Sequence, residues 1–325
     1  MNEETLLILE NLKKYFSIEY REKGLFKKTH YLKAVDSVNL EIFKGETLGL
    51  VGESGCGKTT IGKMIVKLIT PTSGKIVLNG KSILSLEKRE LSEYYRKVQI
   101  IFQDPYSSLD PRFTVGRTIM EPLIINRWGN PKERKAKVVQ LMLDVGLREE
   151  YFMRYPHEFS GGQRQRIGVA RALALNPDLV VCDEPVSALD VSIQAQILNL
   201  MVDLQEKYKL TYLFISHDLG IIKHVSNRIA VMYLGKIVEL ADNEKLFSNT
   251  LHPYTKALLN AIPKPNPKLR GDNMILQGEL PSPINTPSGC SFHPRCPYIM
   301  DICRKREPEF LETEKNHKVK CHLYS

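Results

Sequence analysis

The sequence lacks the long apolar runs of a membrane-spanning chain. No apolar stretch approaches the roughly 20 residues that a helix needs to cross a bilayer, and the opening MNEETLLILENLKK lacks the charge order of a signal peptide. Acidic residues are too few to balance the basic ones, so the net charge is +9. A basic balance suits nucleic acid, an anionic membrane surface or a phosphorylated ligand and does not choose among them. We expect a soluble, cytoplasmic chain that could dock on a membrane protein.

The length and composition predict one large domain with an appendage, or two domains. The chain has 325 residues, of which 42% are hydrophobic, enough to bury a real core. Prolines cluster late, in IPKPNPK (262–268) and LPSPINTPSG (280–289). An extended, loop-rich region is therefore predicted after about residue 260.

Residues 52–59, GESGCGKT, fit the phosphate-loop pattern G-x-x-x-x-G-K-[ST]. An apolar strand-like run (47–51) precedes this phosphate loop, and apolar residues at helical spacing follow it from Ile61 to Leu68, which is the context that the motif requires. Glycines let the backbone wrap a phosphate, Lys58 is expected to contact the β- and γ-phosphates, and Thr59 to bind Mg²⁺. The predicted ATP-binding residues of this segment are Gly52, Glu53, Ser54, Gly55, Cys56, Gly57, Lys58, Thr59 and Thr60.

Two further apolar runs end in polar residues. DLVVCDEP (178–185) ends in adjacent carboxylates, of which Asp183 is suited to hold Mg²⁺ and Glu184 to polarise the attacking water. About 30 residues later, TYLFISHD (211–218) ends in the same way. We expect His217, in that second run, to reach the γ-phosphate.

A second pair of glycines stands in FSGGQRQR (159–166). Ser160 is a good helix N-cap, and the residues after Gly162 have the apolar spacing of a helix. Ser160, Gly161, Gly162 and Gln163 are therefore predicted at a helix start with free backbone amides, which favours an anion. An ordinary capped glycine turn is the simpler alternative.

FSGGQ resembles the signature sequence of the ATP-binding cassette (ABC) ATPases, with Phe159 where leucine is commoner. The resemblance implies that residues 160–163 face ATP held by the opposite subunit of a head-to-tail dimer, and that Asp190, in SALD (187–190), belongs to the loop at that dimer interface. It also implies that the aromatic ring of Phe16 lies under the adenine, and Tyr15 is the alternative residue for this contact. Gln103, in IIFQDP, corresponds to a glutamine that touches Mg²⁺ and the attacking water.

The resemblance implies an α/β fold: a P-loop NTPase core with an antiparallel β subdomain and a helical subdomain, followed by a small cysteine-rich C-terminal region. The ATPase domain would span 1–245, with its helical subdomain at about 104–160, and the C-terminal region would span 246–325. Asn130 and Pro131 predict a helix start, and the spacing of Val138, Leu141, Met142 and Val145 gives that helix an apolar face. Hairpins are predicted at Asn79-Gly80 and Leu234-Gly235.

Two segments go beyond the generic cassette: DPYSSLDPRFTVGRTIMEPL (104–123) and HPYTKALLNAIP (252–263). They are similar to the ATPase subunits of dipeptide and oligopeptide importers, a group that also includes nickel importers. This resemblance implies a second, related ATPase chain, two permease chains, an extracytoplasmic binding protein and a place on the cytoplasmic face of the membrane, with no role for nucleic acid. Peptide is favoured over nickel or other solutes as the transported substrate chiefly because it is the more frequent substrate in this family.

Four of the six cysteines lie in the last 36 residues, as C-x5-C-x6-C-x17-C, and the other two, Cys56 and Cys182, are interpreted as small packing residues. Four thiolates in a proline-rich stretch with little core of its own predict a metal site rather than disulfides. Zinc and an iron–sulfur cluster both remain open on spacing, with His293, His317 and His322 as spare zinc ligands. The importer resemblance favours a structural [4Fe-4S] cluster, which we expect to take no part in the phosphate chemistry. Its predicted ligands are Cys290, Cys296, Cys303 and Cys321.

Three other classes of ABC protein fit the sequence less well. A DNA-repair ATPase would carry a long coiled coil between the phosphate loop and the signature, where only about 100 residues without sustained heptads occur. A translation factor of the ABC type would need two cassettes, and this sequence has one. An inert subunit would be expected to have lost Glu184 or His217, and both are present.

Overall fold

The computed structural model describes residues 4–21, 27–261 and 281–325, so the proline-rich stretch at 262–268 lies outside the described residues. Short 3₁₀ helices cover Glu149–Met153, Pro156–Glu158, His293–Arg295 and His322–Tyr324. The strands are β1 (Thr5–Arg21), β2 (Lys27–Phe43), β3 (Thr47–Val51), β4 (Ser73–Leu78), β5 (Lys81–Ser82), β6 (Val98–Ile101), β7 (Leu179–Asp183), β8 (Thr211–Ser216), β9 (Arg228–Tyr233), β10 (Lys236–Asp242), β11 (Leu311–Glu314) and β12 (His317–Val319). The α-helices are α1 (Lys58–Ile65), α2 (Lys88–Lys97), α3 (Val115–Ile125), α4 (Pro131–Asp144), α5 (Gly161–Leu173), α6 (Val191–Tyr208), α7 (Leu219–Val225), α8 (Asn243–Ser248), α9 (Pro253–Asn260) and α10 (Asp301–Lys305).

The described residues divide into two compact units. The first contains residues 4–5, 43–47 and 82–215, and the second contains the described residues of 6–42, 48–81 and 216–325. Each unit combines strands and helices, as the predicted α/β class requires.

The first unit is built on parallel strands. β7 pairs in parallel with β6 on one side and with β8 on the other. Every residue of β7 is buried, and a parallel strand that is covered on both faces is typically a continuous apolar run. This explains why LVVCD shows no alternation of apolar and polar residues.

The helical part of the first unit packs α3 against α4, α5 and the 3₁₀ helix at 149–153. The predicted start of α4 is confirmed, because Asn130 and Glu133 form a reciprocal capping box around Pro131. The predicted apolar face is confirmed as well. Its buried members are Val138, Leu141, Met142 and Val145.

The second unit contains an antiparallel sheet in the order β2-β1-β4-β5. Asn79 and Gly80 connect β4 to β5 with φ values of 48° and 76°, the left-handed conformations that a tight hairpin turn needs. The predicted hairpin is therefore confirmed. The helix after the phosphate loop is shorter than predicted: it ends at Ile65, and Leu68 lies exposed beyond it.

A second set of strands in this unit has the order β11-β12-β10-β9-β3. β3 and β9 are parallel, and β9 turns into antiparallel β10 at Leu234-Gly235, as predicted. β11 and β12 were not predicted, because LETE and HKV are more charged than apolar. β12 pairs with β10 along Glu239–Ala241, so this edge of β10 is covered by the chain's own C-terminal residues.

A buried polar network joins β10 and β12 to the start of α9. The Glu239 carboxylate accepts hydrogen bonds from the backbone N–H groups of Leu251 (2.8 Å) and His252 (3.1 Å) and lies 2.9 Å from Nε2 of His317. The His252 Nδ1 atom accepts from the backbone N–H of Tyr254, 3.1 Å away, and so caps α9. Since Glu239, His252 and His317 are all buried, each depends on these partners in place of water.

The first testable prediction concerns His252. Burial lowers the pKa of His252 to about 4, whereas an unfolded histidine titrates near pH 6.5. Because the unfolded chain takes up this proton first, the stabilising effect of neutral His252 is complete above about pH 6.5 and decreases as the pH falls to about 4, by up to about 3 kcal/mol.

His252→Asn keeps a capping oxygen and has no group that titrates in this range. Urea unfolding of both proteins at several pH values from 7 to 4.5 checks the prediction: the free energy of unfolding should decrease more steeply with falling pH in the natural chain. Parallel curves would contradict it.

Candidate functional site

The phosphate loop joins β3 to α1 in the second unit, and two of its glycines have no room for a side chain. A Cβ atom on Gly52 would lie 2.1 Å from the carbonyl oxygen of Met232, and one on Gly57, where φ is 110°, would lie 2.0 Å from that of Ala34. Backbone atoms cannot move aside cheaply, so glycine is required at both positions. Cys56 is buried here, as predicted for a packing residue.

Lys58 is the first residue of α1 and is buried. Its Nζ atom donates hydrogen bonds to the carbonyl oxygens of Gly52 (2.8 Å) and Glu53 (3.0 Å). The ammonium group thus lies beneath the loop and holds its first two residues. A fixed cation beside backbone amides is the arrangement that binds phosphate.

Glu53 also contacts two residues from beyond position 250. Its backbone N–H donates to the hydroxyl oxygen of Tyr254 (2.9 Å), and its carboxylate accepts two hydrogen bonds from the guanidinium of Arg295, at 2.8 and 3.0 Å. The C-terminal region therefore contacts the phosphate loop, which the sequence did not predict. Arg295 is 242 residues from Glu53 in sequence, and no local pattern signals such a pair.

Phe16 lies on β1 and is 36% exposed, with the Lys14 ammonium 4.9 Å from its ring centroid. Tyr15, the fallback for the aromatic contact with adenine, is less exposed, and its hydroxyl donates to Asp36 at 2.5 Å. Burial and this hydrogen bond raise the pKa of Tyr15. The Phe16 ring is therefore the better placed of the two for stacking on a planar group.

In the first unit, the structure brings Gln103 and Glu184 together. Asp183 is the buried last residue of β7, and Glu184 follows it with φ at 48°, its N–H donating to the Ile215 carbonyl oxygen at 3.0 Å. The Gln103 Nε2 atom donates to a carboxylate oxygen of Glu184, 3.0 Å away. An amide that donates to this carboxylate fixes its orientation, which a general base needs.

The second glycine pair begins α5 in the same unit. The Ser160 Oγ atom accepts from the Gln163 N–H (3.3 Å), and the Gln163 side chain accepts from the Ser160 N–H (3.1 Å). The predicted N-cap is confirmed as a full capping box. A Cβ atom on Gly162 would lie 2.5 Å from Ile193, while Gly161 has more space.

The last two predicted positions both lie next to a helix. Asp190 is the exposed N-cap residue of α6, and its side chain makes no capping hydrogen bond. In the second unit, His217 is exposed between β8 and α7. Its neighbour Asp218 caps α7 by accepting from the Gly220 N–H at 2.7 Å.

The four C-terminal cysteines lie near one another in the second unit. The Cys290 N–H donates to the Cys303 carbonyl oxygen at 2.8 Å. Burial raises the pKa of Cys321 to about 11, and the thiols of Cys290, Cys296 and Cys303 contribute to the rise. Among the described residues, no group of three or more His, Cys, Asp or Glu side chains is arranged to hold one metal ion.

The histidines suggested as zinc ligands have other neighbours. His317 pairs with Glu239 in the buried network, His293 Nδ1 lies 3.0 Å from the Cys290 carbonyl oxygen, and His322 Nε2 lies 2.9 Å from that of Arg306. His317 is wholly buried in its pair. Releasing it to a metal would leave the Glu239 carboxylate without this partner.

Comparison with known proteins agrees with the folds and motifs of both units. The sequence matches the ABC transporter family over residues 35–187 and the C-terminal region of the oligopeptide/dipeptide transporter family over residues 238–303. It is similar to a solved dimeric structure of the ATP-binding cassette MJ0796 in a post-hydrolysis state with ADP and phosphate. The two sequences are 28% identical, the match covers 73% of this chain and 99% of that chain, and the TM-score is 0.63. No helix among the described residues is long and apolar enough to span a bilayer.

Two curated relatives match over almost their whole length. The oligopeptide transport ATP-binding protein AppF of Bacillus subtilis is 52% identical, with 100% of this chain and 99% of the relative covered. The dipeptide transport ATP-binding protein DppF of Haemophilus influenzae is 49% identical, with 97% and 96% covered. The chain belongs to the ABC transporter family, among the ATP-binding proteins of oligopeptide and dipeptide transporters.

Proposed function

We propose that this chain is the ATP-hydrolysing subunit that powers the import of dipeptides or oligopeptides through a membrane permease. The observation that carries the proposal is the Gln103–Glu184 pair at the end of a buried strand, in a chain whose whole length matches peptide-transport ATP-binding proteins. Import of nickel or another small solute is the alternative within the same group. The proposed ATPase domain spans 1–245 and the C-terminal region 246–325.

The proposed chemistry is the attack of water on the γ-phosphate of ATP. Glu184 accepts a proton from the water while the water oxygen bonds to the γ-phosphorus, and the bond from that phosphorus to the β–γ bridging oxygen breaks to give ADP and phosphate. Gln103 orients the carboxylate and the water, and His217 donates to the γ-phosphate. Phe16 stacks on the adenine, and the residues of the phosphate loop, with Thr60, bind the phosphates.

Magnesium is the expected counter-ion of the triphosphate. Hydroxyl, carboxylate and amide oxygens are the ligands that Mg²⁺ accepts, so Thr59, Asp183 and Gln103 suit it directly or through water. When bound, the ion would reduce the negative charge of the phosphates. The position of Asp183 at the end of β7, one residue before Glu184, supports this assignment, because it places a carboxylate beside the proposed catalytic base.

We further propose that Ser160, Gly161, Gly162 and Gln163 face the ATP of a second, related ATPase chain, with Asp190 at the same interface. Ser160 and Asp190 are both exposed, which supports a role in contact with another molecule. The capping box fixes the positions of Ser160 and Gln163 in the isolated chain, without a partner.

The proposed partners are two permease chains and an extracytoplasmic binding protein, with the ATPase on the cytoplasmic face of the membrane. The segment at about 104–160 is the proposed helical subdomain that contacts the permeases. Two of its apolar side chains, Ile125 and Met153, are 72% and 71% exposed at the ends of α3 and of the 3₁₀ helix packed against it. Exposed apolar side chains of this kind suit contact with another protein.

Co-purification tests the proposed assembly. The chain should be isolated from native membranes in mild detergent with a permease pair and a second ATPase chain, all identified by mass spectrometry. Isolation with DNA-repair proteins or ribosomes, and without permeases, would contradict the proposal.

We also propose that the four C-terminal cysteines hold a [4Fe-4S] cluster and not a single zinc ion. The spacing C-x5-C-x6-C-x17-C has no close pair of the C-x2-4-C kind that structural zinc sites usually have, and wider spacings suit a cluster. The engagement of His317 with Glu239 also weakens the zinc alternative. A bound cluster would tie the ends of this region together, and we assign it a structural role.

Iron analysis of anaerobically purified protein tests the cluster. The natural chain should be brown and contain about four irons and four sulfides. Cys303→Ala should lose both iron and colour, whereas Cys182→Ala, which alters another buried cysteine outside the set, should retain them. One equivalent of zinc in a colourless protein would contradict the assignment.

A further inference from the structure

Glu53 of the phosphate loop is held at three points. Its carbonyl oxygen accepts from the Lys58 ammonium (3.0 Å), its N–H donates to the Tyr254 hydroxyl (2.9 Å), and its carboxylate meets the Arg295 guanidinium. One of these partners belongs to the phosphate loop, and the other two come from the C-terminal region. The conformation of Glu53 therefore depends on both.

The Arg295–Glu53 contact has the geometry of a strong ion pair. Both guanidinium Nη atoms donate, one to each carboxylate oxygen, which fixes orientation as well as distance. The Arg295 side chain is 7% exposed and that of Glu53 24%, so solvent screens the pair only in part. Hydrogen bonding to Glu53 raises the pKa of Arg295, so the guanidinium is charged throughout the usual pH range.

Arg295 lies in the cysteine loop (residues 290–296), and aromatic packing anchors this loop. Phe292 is buried, with its ring centroid 5.2 Å from that of Tyr233 and 5.5 Å from that of Tyr254. The ring centroids of Tyr233 and Tyr254 are 4.7 Å apart. The two residues that contact Glu53 from the C-terminal region are thus positioned by one cluster of rings, into which the cysteine loop inserts Phe292.

The charge of Glu53 explains why its pairing matters to ATP. A carboxylate in a loop that binds a triphosphate repels the ligand, and this repulsion is stronger near a protein surface than in bulk water. Arg295 neutralises that carboxylate and directs it toward the cysteine loop. Without Arg295, Glu53 would carry an uncompensated negative charge beside the phosphates.

We propose that Arg295 is a positioning residue for ATP binding, so that the cysteine loop helps to set the affinity of the phosphate loop for nucleotide. This inference rests on the proposed role of the phosphate loop in binding ATP. Arg295 acts through Glu53 and does not contact the reacting atoms. Its effect is therefore expected on the dissociation constant and the KM for ATP, and not on kcat.

Calorimetric titration of the full-length chain with MgATP tests the proposal. Arg295→Gln should raise the Kd for ATP by about tenfold, the effect of a single partly screened charge. Arg304→Gln, which alters an exposed arginine of the neighbouring α10, should leave the Kd unchanged. In the assembled ATPase, Arg295→Gln should raise the KM in proportion, with kcat at saturating ATP nearly unchanged.

Rescue distinguishes charge compensation from loss of structure. Arg295→Lys keeps the positive charge beside the Glu53 carboxylate and should therefore retain most of the affinity that Arg295→Gln loses. A Kd for Arg295→Gln equal to that of the natural chain would overturn the proposal, even if its thermal unfolding midpoint falls. An Arg295→Lys chain that binds ATP as weakly as Arg295→Gln would overturn it as well.

Lys58→Ala separates this inference from the proposed function. Loss of binding in Lys58→Ala, with natural affinity in Arg295→Gln, would refute the inference alone. Natural affinity in Lys58→Ala would instead refute the proposed role of the phosphate loop, and the inference with it.

Discussion

The Glu184→Gln variant should bind ATP as the natural chain does and hydrolyse it at least about 100-fold more slowly, the usual scale for loss of a general base. The amide has nearly the same shape as the carboxylate and can still meet the Gln103 side chain, which lies 3.0 Å from Glu184 Oε2. It has no basic oxygen to take the proton of the attacking water. The defect should therefore lie in kcat, with the Kd for ATP unchanged.

Phosphate release at saturating MgATP, measured beside nucleotide titration, checks this result. Glu206→Gln is the matched control, because it makes the same change at an exposed position of α6 and should retain natural turnover. Bound ATP should also accumulate on Glu184→Gln and hold the proposed dimer closed, detectable by gel filtration. Turnover close to that of the control would show that another group is the base.

The Ser160→Asp variant should retain ATP binding in the isolated chain and lose ATP hydrolysis in the assembled transporter. Aspartate caps a helix as well as serine does, so α5 should still begin at Gly161. The new carboxylate would face the phosphates of the partner's ATP under the proposed arrangement. Removal of a single hydrogen-bond donor to developing charge costs about 100-fold or more, and an added negative charge should cost at least as much.

Ser160→Asn is the matched control, since asparagine caps equally well and carries no charge. Hydrolysis by the Asp variant should be far below that of the Asn variant, and both should show the same Kd for ATP in the isolated chain. Equal hydrolysis by the two variants would contradict a role for Ser160 near phosphate. Loss of ATP binding by the isolated Ser160→Asp chain would contradict a site completed by the partner.

The features that could be predicted from the sequence are those set by neighbouring residues. The phosphate loop needs glycines at 52 and 57 because backbone atoms crowd them, and the capping boxes at Asn130 and Ser160 join residues three apart. The Asn79-Gly80 turn is local for the same reason. Each of these has one short pattern and one favoured conformation.

Contacts between distant residues needed either the family resemblance or the structure. Glu184 and Gln103 are 81 residues apart, and only the resemblance assigned them to the same reaction. The pairs Glu53–Arg295 and Glu239–His317 join residues 242 and 78 apart. Nothing in the composition around Arg295 or His317 indicates that either residue pairs with a distant carboxylate, so neither pair was predicted from the sequence.

If ATP hydrolysis by this chain drives peptide import, loss of hydrolysis should stop peptide uptake in its own cells. Cells in which Glu184→Gln replaces the natural chain should lose energy-dependent uptake of labelled di- and oligopeptides, and the natural chain should restore it. Nickel uptake should be unaffected. Peptide uptake at the natural rate, or a selective loss of nickel uptake, would contradict the proposed role in peptide import.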